Sequence, residues 1–309
     1  MSEPRGTLRA PRKRPGKHER AEEGRPLHQR AAILAVFAAV VLTAAAAVGL
    51  AWNSPGGRES PGPTPTGTPS AARHAVAVCE RLVVPAYFEP SGWPQASDSV
   101  PPPSDMILDI SGTGAGPAPQ QDFRTAAGEA QAAGVTVLGY ISTVDGQRPL
   151  AEAEAEVAHY AAWYGVTSIF LDRVSGEPAQ LGYYRALAAY IRAHDPGGQL
   201  WLNPGDYPDQ AYMSLGEVMM TFEGTYAQYA GAPGAAVPGW VRGYPAARFA
   251  HTIYAASAAD LRPALRLAAA RNAGHVYVTD GSGGNPYQAL PGYWAAEDAA
   301  AAATCVAAG

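Results

Sequence analysis

Two carboxylates in this sequence each end an uninterrupted apolar run. Asp172 ends the run IFLD, and Glu223 ends the segment VMMTFE. A carboxylate at the end of a buried strand is partly desolvated, which raises its pKa unless a cation compensates. Two such groups on either side of one bond are what glycoside hydrolysis requires: one protonates the leaving oxygen, while the other attacks the anomeric carbon or activates water. For each, the structural alternative is an ion pair within the loop layer.

Arg173 follows Asp172 directly in the sequence. Adjacent residues of a strand point to opposite faces, so Arg173 is not expected to neutralise Asp172 by contact. The two carboxylates therefore stay candidates for acid and base chemistry, provided that the fold brings them to the same cleft.

Short apolar segments recur along the chain and predict eight strands. Their continuous hydrophobicity is typical of parallel strands that are buried on both faces. Most of the gaps are helical in pattern, and those after the first and sixth strands are the least regular. The predicted strands are 81–88, 104–111, 135–142, 168–174, 199–205, 217–224, 248–256 and 274–281, and the predicted helices are 119–133, 151–164, 179–194, 257–274 and 293–306.

Strands that alternate with helices over this length predict an α/β fold, a (β/α)8 TIM barrel over residues 76–309. A doubly wound open sheet is the alternative, but no GxGxxG follows the first strand. Catalytic groups of such a barrel lie at the carboxyl ends of its strands. Besides the catalytic pair Asp172 and Glu223, the strand ends supply candidates for substrate binding: Tyr87, Asp109, Tyr140, Arg173, Asn203, His251, Tyr254 and Asp280.

The aromatic candidates suit a sugar, because a tyrosine presents an apolar face and a polar tip. Ordinary packing is the alternative for Tyr87, Tyr140 and Tyr254, and a satisfied core histidine is the alternative for His251. No metal site and no cofactor are predicted, because no close spacing of metal ligands occurs. A serine nucleophile lacks its GxSxG elbow.

The N-terminal residues predict a membrane anchor and a tether. Residues 1–30 carry nine Lys and Arg against four Glu, and residues 31–52 carry no charge. The uncharged segment is long enough to cross a hydrocarbon core of about 30 Å, and the basic arm before it stays in the cytoplasm. Residues 53–75 are rich in Pro, Gly, Ser and Thr, as in a linker. We expect a single-pass membrane protein with an extracellular barrel; the alternative is secretion after signal cleavage.

The remainder of the chain is acidic, with 13 Lys and Arg against 23 Asp and Glu. This balance argues against binding to nucleic acid, whose affinity for proteins depends on phosphate contacts. Cys79 and Cys305 lie at opposite ends of the ectodomain. An oxidising compartment favours a disulfide between them, and two buried thiols are the alternative. A monomer is expected.

Five segments, in order along the ectodomain, carry a family resemblance: VLGYIST (137–143), SIFLDR (168–173), LNPG (202–205), TFEGTYAQY (221–229) and VYVTDGSGGNPYQALPGYW (276–294). The ectodomain resembles the spherulin-4 family, also called spherulation-specific family 4. The resemblance implies a barrel similar to (β/α)8 glycoside hydrolases, with Asp172 and Glu223 at the acidic positions of the family. Some fungal members are secreted or membrane-anchored enzymes that cleave α-1,4-linked galactosamine or N-acetylgalactosamine exopolysaccharide.

One departure from the family concerns the fourth strand, where Asp172-Arg173 stands in place of Asp-Glu. One of three implicated acids is therefore missing, and a guanidinium beside the site would favour an anionic sugar. The expected function is an endo-acting, membrane-anchored extracellular glycoside hydrolase that cleaves a polysaccharide, a galactosamine-containing one among the candidates. A non-catalytic glycan-binding barrel at the cell surface is the alternative, and a structural or interaction protein is a third.

Overall fold

The computed structural model describes residues 79–231 and 237–308, with side chains as far as residue 304. Its parallel strands form a closed barrel in chain order, and β8 pairs with β1. The predicted (β/α)8 barrel and all of its predicted strands are confirmed. The strands are β1 Arg81–Pro85, β2 Asp105–Leu108, β3 Thr136–Ser142, β4 Ser168–Asp172, β5 Leu200–Leu202, β6 Val218–Thr225, β7 Phe249–Tyr254 and β8 His275–Val278.

The helices also fall in the predicted gaps. The helices after β1 and β6 are short, as the irregular sequence there suggests, and a 3-10 helix, Gln210–Ser214, connects β5 to β6. A π-helical turn, Tyr160–Tyr164, continues α3. The helices are α1 Pro94–Ser97, α2 Gln121–Ala132, α3 Leu150–His159, α4 Leu181–His194, α5 Tyr226–Gly231, α6 Leu261–Ala270 and α7 Trp294–Ala308.

The core has two layers, one inside the barrel and one between the strands and the helices. Residues two apart on a strand point to the same face. An interior residue in the barrel therefore places the residue two positions later in the mouth at the carboxyl ends. Phe170, Trp201 and Ile107 are interior and buried, which aims Asp172, Asn203 and Asp109 into that mouth.

Strand β6 departs from this alternation. Met220 pairs with Ala250 and Phe222 pairs with His251, so Thr221 is an extra residue without a counterpart on β7. This β-bulge reverses the faces that follow it. Glu223, rather than Phe222, therefore continues the inward row that Met220 begins.

A missing side chain on β3 allows a helix to approach the barrel closely. A Cβ on Gly139 would lie 2.5 Å from the Tyr160 ring. The Tyr160 hydroxyl lies 3.0 Å from the carbonyl oxygen of Leu108 and 2.8 Å from that of Tyr140. Gly139 thus lets one tyrosine hold β2 and β3 together at the end where the candidate site lies.

The predicted cytoplasmic arm (1–30), membrane anchor (31–52) and linker (53–75) lie outside the described residues. Among the helices of residues 79–231 and 237–308, none combines the length and the hydrophobicity that a membrane span requires.

The predicted disulfide would join the two ends of the barrel domain. Cys79 is not a free thiol, but the side chain of Cys305 lies outside the described residues, so the pairing stays a prediction. The backbone N–H of Glu80 donates a hydrogen bond of 2.8 Å to Oγ1 of Thr304. The neighbours of the two cysteines are therefore in contact.

Candidate active site

The structure brings the two predicted acids together at the carboxyl ends of β4 and β6. Asn203, which follows β5, lies between them. Its Nδ2 donates to Oδ1 of Asp172 at 2.8 Å and to Oε2 of Glu223 at 2.6 Å. The accepting oxygens are therefore no farther apart than the sum of these two lengths. The fold therefore brings the two acids together, as any chemistry by paired carboxylates requires.

Asp172 is held by donors on both of its oxygens. The Tyr140 hydroxyl donates to Oδ2 at 2.7 Å, opposite the bond from Asn203 to Oδ1. Burial raises the pKa of the Asp172 carboxyl, and bonds from Tyr140, the Arg173 backbone and Asn203 oppose that rise. Three donors that favour the ionised form make Asp172 the better placed of the two acids to act as a nucleophile.

The Arg173 guanidinium turns away from the acid pair. Arg173 has a left-handed backbone, with φ of 51°, and its Nη2 lies 3.5 Å from Oδ2 of Asp145. Both side chains of this pair are well exposed to solvent, so water screens their attraction. The Arg173 guanidinium is therefore at the rim of the cleft, where it pairs with Asp145; Arg173 reaches the Asp172 carboxylate through its backbone N–H and through its charge, which opposes the rise in the pKa of Asp172.

The Glu223 side chain is exposed to the cleft, and each of its carboxyl oxygens accepts a hydrogen bond from the protein. Tyr287 donates a hydrogen bond of 2.9 Å to Oε1, and Asn203 occupies Oε2. Burial, and then the negative charge of Asp172, raise the pKa of Glu223 to about 6, against the two hydrogen bonds. A carboxyl group with such a pKa can hold a proton near neutral pH, as a general acid must.

Asp109, at the end of β2, is a third carboxylate of the same mouth. Its Oδ1 accepts hydrogen bonds from the backbone N–H groups of Ser111 at 3.2 Å and Gly112 at 2.9 Å. Burial raises the pKa of Asp109 to about 6, and the charge of Asp172 adds to the rise. Asp109 therefore lies near Asp172 and also orders the loop after β2.

Tyrosine rings form one wall of the cleft. Tyr87 packs edge-on against Tyr140 and against Tyr287, with ring centroids 5.6 Å apart in both pairs. Tyr254 is half-buried and packs edge-on against Tyr287 at 6.4 Å. The rings of Tyr87, Tyr140 and Tyr254 thus lie beside the acids, as expected of residues that would contact a sugar.

Comparison with known sequences identifies the family of this chain. A family model described as "Spherulation-specific family 4" matches residues 81–301. The chain belongs to spherulation-specific family 4. The resemblance inferred from the five sequence segments is thereby confirmed.

Relatives of this family member are known from sequence and from structure. Spherulin-4 of Physarum polycephalum is 29% identical over 234 residues, which cover 71% of this chain and 69% of that protein. The crystal structure of Aspergillus clavatus Sph3 in complex with GalNAc has a TM-score of 0.63 at 21% identity, covering 74% of this chain and all of that one. A chitinase from Rhizomucor miehei has a TM-score of 0.45 at 11% identity, covering 67% of this chain and 98% of the chitinase. The likeness to Sph3 shows that the two proteins share the barrel fold.

Two predicted site residues of this family 4 barrel do not face the acids. His251 is buried on the outer side of β7, where Nε2 lies 3.1 Å from Oγ1 of Thr221 and Nδ1 lies 2.7 Å from the Tyr229 hydroxyl. Burial, with a smaller contribution from Arg271, lowers the pKa of His251 to about 3, so the ring stays neutral. The assignment of His251 to substrate binding was wrong, because its neighbours on β7, Ala250 and Thr252, hold the inward positions.

Asp280 is exposed at the rim, and its carboxylate is engaged by the chain itself. The backbone N–H of Gly292 lies 3.4 Å from Oδ1 and 3.3 Å from Oδ2 of Asp280. The carboxylate thereby ties together the two ends of the loop between β8 and α7. Direct binding of a sugar by Asp280 stays a prediction.

Two residues of the site were absent from the sequence-based assignment. Tyr287 comes from the loop between β8 and α7, and Thr252 points inward from β7. The Tyr287 hydroxyl lies 3.3 Å from Oγ1 of Thr252. Tyr287 lies within the segment VYVTDGSGGNPYQALPGYW that carries the family resemblance, which was the one available signal, whereas Thr252 had none.

Other clusters of polar residues lie elsewhere in the barrel. In residues 79–231 and 237–308, no three His, Cys, Asp or Glu side chains are arranged to hold a metal ion. A cavity of about 510 Å³ opens at the opposite mouth, where Asp105 and His275 are among the lining residues. Nδ1 of His275 lies 3.4 Å from Oδ2 of Asp105. This cavity lies at the amino ends of the strands and is separate from the acid pair.

Proposed function

We propose that this protein is a glycoside hydrolase that cleaves a polysaccharide, with Asp172 and Glu223 as its catalytic pair. The observation that carries the proposal is the shared donor: one amide nitrogen of Asn203 holds both acids in the mouth of a barrel. Paired carboxylates on either side of a glycosidic bond are the machinery of most glycoside hydrolases.

The environments of the two acids assign their roles. Glu223, with its raised pKa, protonates the glycosidic oxygen as the bond from that oxygen to the anomeric carbon breaks. Asp172, held by Tyr140 and Asn203, forms the new bond to the anomeric carbon. Water then gives a proton to Glu223 and attacks the same carbon, which releases Asp172 and restores both groups.

The spacing of the acids favours retention of configuration at the anomeric carbon. Their oxygens on Asn203 are separated by at most the combined length of bonds of 2.8 and 2.6 Å. Retaining pairs have carboxyl groups about 5–5.5 Å apart, whereas inverting pairs keep about 6.5–9.5 Å to admit a water molecule. The covalent route through Asp172 fits the smaller separation.

The proposed substrate is a polymer outside the cell. The uncharged segment 31–52 supports a single membrane anchor with the barrel on the outer side, and secretion after cleavage is the alternative. No cofactor is required by the proposed chemistry, and a monomer suffices because both acids belong to one chain. The GalNAc in the complex of Sph3 makes a galactosamine-containing or N-acetylgalactosamine-containing polymer the first substrate to test.

The test is incubation of the full-length protein with a panel of exopolysaccharides, with released oligosaccharides read by mass spectrometry. The wild type is expected to release oligosaccharides, and Glu223→Gln is expected to be slower by about 10²–10⁴-fold, the usual contribution of a general acid. Asp172→Asn should be at least as impaired. Release at wild-type rates by both variants would reject the proposed pair.

A non-catalytic glycan-binding barrel is the second candidate. Arg173, paired with Asp145, stands where the family resemblance implies a further acid beside Asp172. If this reading is correct, the wild type binds a polysaccharide of the panel but releases no product. The double variant Asp172→Asn and Glu223→Gln would then bind with unchanged affinity.

A further inference from the structure

One contact of the acid pair comes from outside the strands. The Tyr287 hydroxyl donates to Oε1 of Glu223 at 2.9 Å, and Tyr287 belongs to the loop between β8 and α7. Asn203 already donates to the other oxygen, Oε2. Both oxygens of Glu223 are therefore satisfied only while this loop is in place.

The Tyr287 ring is seated by its neighbours. It is 4% exposed and packs against Tyr87 and Tyr254, edge-on, and against Tyr277, with ring centroids 5.6, 6.4 and 6.2 Å away. A ring packed on several sides leaves its hydroxyl few positions, so the donor is preorganised toward Oε1 of Glu223.

The loop that carries Tyr287 is tied down by its own polar groups. Oδ1 of Asn285 accepts the backbone N–H of Tyr287 at 2.9 Å. The carbonyl of Gly281 accepts the backbone N–H of Ala255 at 2.8 Å, which joins the loop to the end of β7. A Cβ on Gly281 would collide with the carbonyl oxygen of Pro286. The loop thus has a defined conformation that delivers the hydroxyl to the acid.

We propose that Tyr287 is a positioning residue: its hydroxyl orients the Glu223 carboxylate and stabilises its ionised form, which makes the loop between β8 and α7 part of the active site. The inference deepens the proposed function and rests on it for the consequences in catalysis. The hydrogen bond itself, and its effect on the titration of Glu223, do not depend on which reaction the site performs.

Several groups govern the titration of Glu223. Burial, and then the charge of Asp172, raise the pKa of Glu223, while the hydrogen bonds from Asn203 and Tyr287 lower it. Loss of one of two donors to a carboxylate disfavours the charged form, so the pKa rises further. The remaining tyrosines around the carboxylate are neutral hydroxyls with raised pKa values and do not supply a compensating charge. The groups that face Glu223 are Asp172 on β4, Asn203 after β5, Tyr140 on β3, Tyr87 after β1, Tyr254 on β7 and Tyr287.

The first experiment compares the pH dependence of kcat and kcat/KM for the wild type and Tyr287→Phe, in the full-length chain. In Tyr287→Phe, the limb of the pH profile that reflects the titration of Glu223 should move to higher pH by about one unit. The variant loses a hydrogen bond to the charged carboxylate, and such bonds are strong. The direction is the same whether Glu223 acts as acid or as base. We expect kcat to fall with little change in KM, since the hydroxyl contacts Glu223.

A matched control separates positioning from loosening of the loop. Tyr293 lies near the end of the same loop, and its hydroxyl donates to the carbonyl oxygen of Ala256 at 3.0 Å. Tyr293→Phe removes a hydroxyl that makes no contact with Glu223. In this variant, the limb of the pH profile that reflects Glu223 should stay at the wild-type position. An equal shift in both variants would overturn the role of Tyr287.

The second experiment needs no activity. Carbon-13 NMR of the full-length chain labelled at Glu carboxyls, assigned with Glu223→Gln, gives the pKa of Glu223 directly. Tyr287→Phe, or Asn285→Ala if the first variant does not fold, should raise that pKa. If no polysaccharide is cleaved but the pKa rises, the proposed function fails and the contact stands. If substrate is cleaved and the pKa does not move, the inference about Tyr287 is wrong.

Discussion

The backbone N–H of Gly205 donates a hydrogen bond of 2.9 Å to Oδ1 of Asn203. Gly205 takes a left-handed conformation, with φ of 68°, which glycine adopts without strain. The bond fixes which end of the amide is the acceptor, so the NH₂ group must face the two acids. Asn203, 4% exposed, therefore uses both of its donors on Asp172 and Glu223 rather than on a substrate.

Replacement of Asn203 by leucine is expected to lower kcat with little change in KM. Leucine has the same number of side-chain heavy atoms but removes one hydrogen bond from each acid, and bonds to charged groups contribute about 1.5–3 kcal/mol. A loss of one such bond in the transition state corresponds to roughly 10–100-fold in kcat. Steady-state kinetics on the cleaved polysaccharide decide the matter. A raised KM at unchanged kcat would instead restore the sequence-based prediction that Asn203 contacts the sugar.

Replacement of Gly139 by alanine is expected to destabilise the barrel by about 1–3 kcal/mol, as overpacking does. The new methyl group would lie 2.5 Å from the Tyr160 ring, against β3. Urea-induced unfolding measures the change. Gly128→Ala is the matched control, because Gly128 lies in α2 with no neighbour in reach of a Cβ. That variant should gain about 0.5–1 kcal/mol, and equal effects of the two changes would contradict the packing argument.

The raised pKa of Asp109 predicts a pH dependence of stability. Its pKa rises from 3.8 to about 6 in the folded protein. The folded state therefore binds this proton more tightly, so the stabilisation is complete below the unfolded pKa and is lost as the pH rises through about 6. Asp109→Asn keeps an oxygen for the Ser111 and Gly112 N–H groups but does not titrate. The wild type should lose stability relative to this variant between about pH 4 and pH 7 in urea unfolding; parallel pH profiles would disprove the assignment.

The predicted disulfide between Cys79 and Cys305 is tested by mass. Oxidised protein that is unfolded and alkylated without reductant should carry no alkyl group, whereas reduced protein should carry two. Cys79→Ser is expected to lower the free energy of unfolding by about 2–5 kcal/mol, because a bridge across the domain restricts the unfolded chain. Wild type measured with reductant should match the variant; a reductant-independent stability would contradict the bridge.

Much of the barrel was predictable because buried parallel strands leave a continuous apolar pattern. That pattern also gave the ends of the strands, and so placed Asp172, Asn203 and Asp109 near the same mouth. The same continuity removed the alternation that would have shown which way His251 points. A parallel strand covered on both faces is apolar on both, so a histidine among such residues can be assigned to either side.

Residues that depend on loops or on irregular pairing were beyond the sequence pattern. Tyr287 reaches Glu223 from a loop whose path is set by hydrogen bonds of Asp280 and Asn285. No periodicity describes such a path. Strict alternation from Met220 would have turned Phe222 inward. Nothing in the composition of VMMTFE predicts that Thr221 is an extra, unpaired residue.

The bulge at Thr221 determines which face of β6 carries Glu223. Deleting Thr221 would leave a regular strand in which Phe222 still pairs with His251 and Glu223 with Thr252, so the carboxylate would stay in the cleft. Regular pairing that kept Thr221 would instead turn the carboxylate to the outer surface, near Tyr229 and α5, with a phenyl ring facing the cleft. A relative of the same length without the bulge would still match every letter of TFEG, so distant relatives should be compared by strand pairing before this acid is assigned to them.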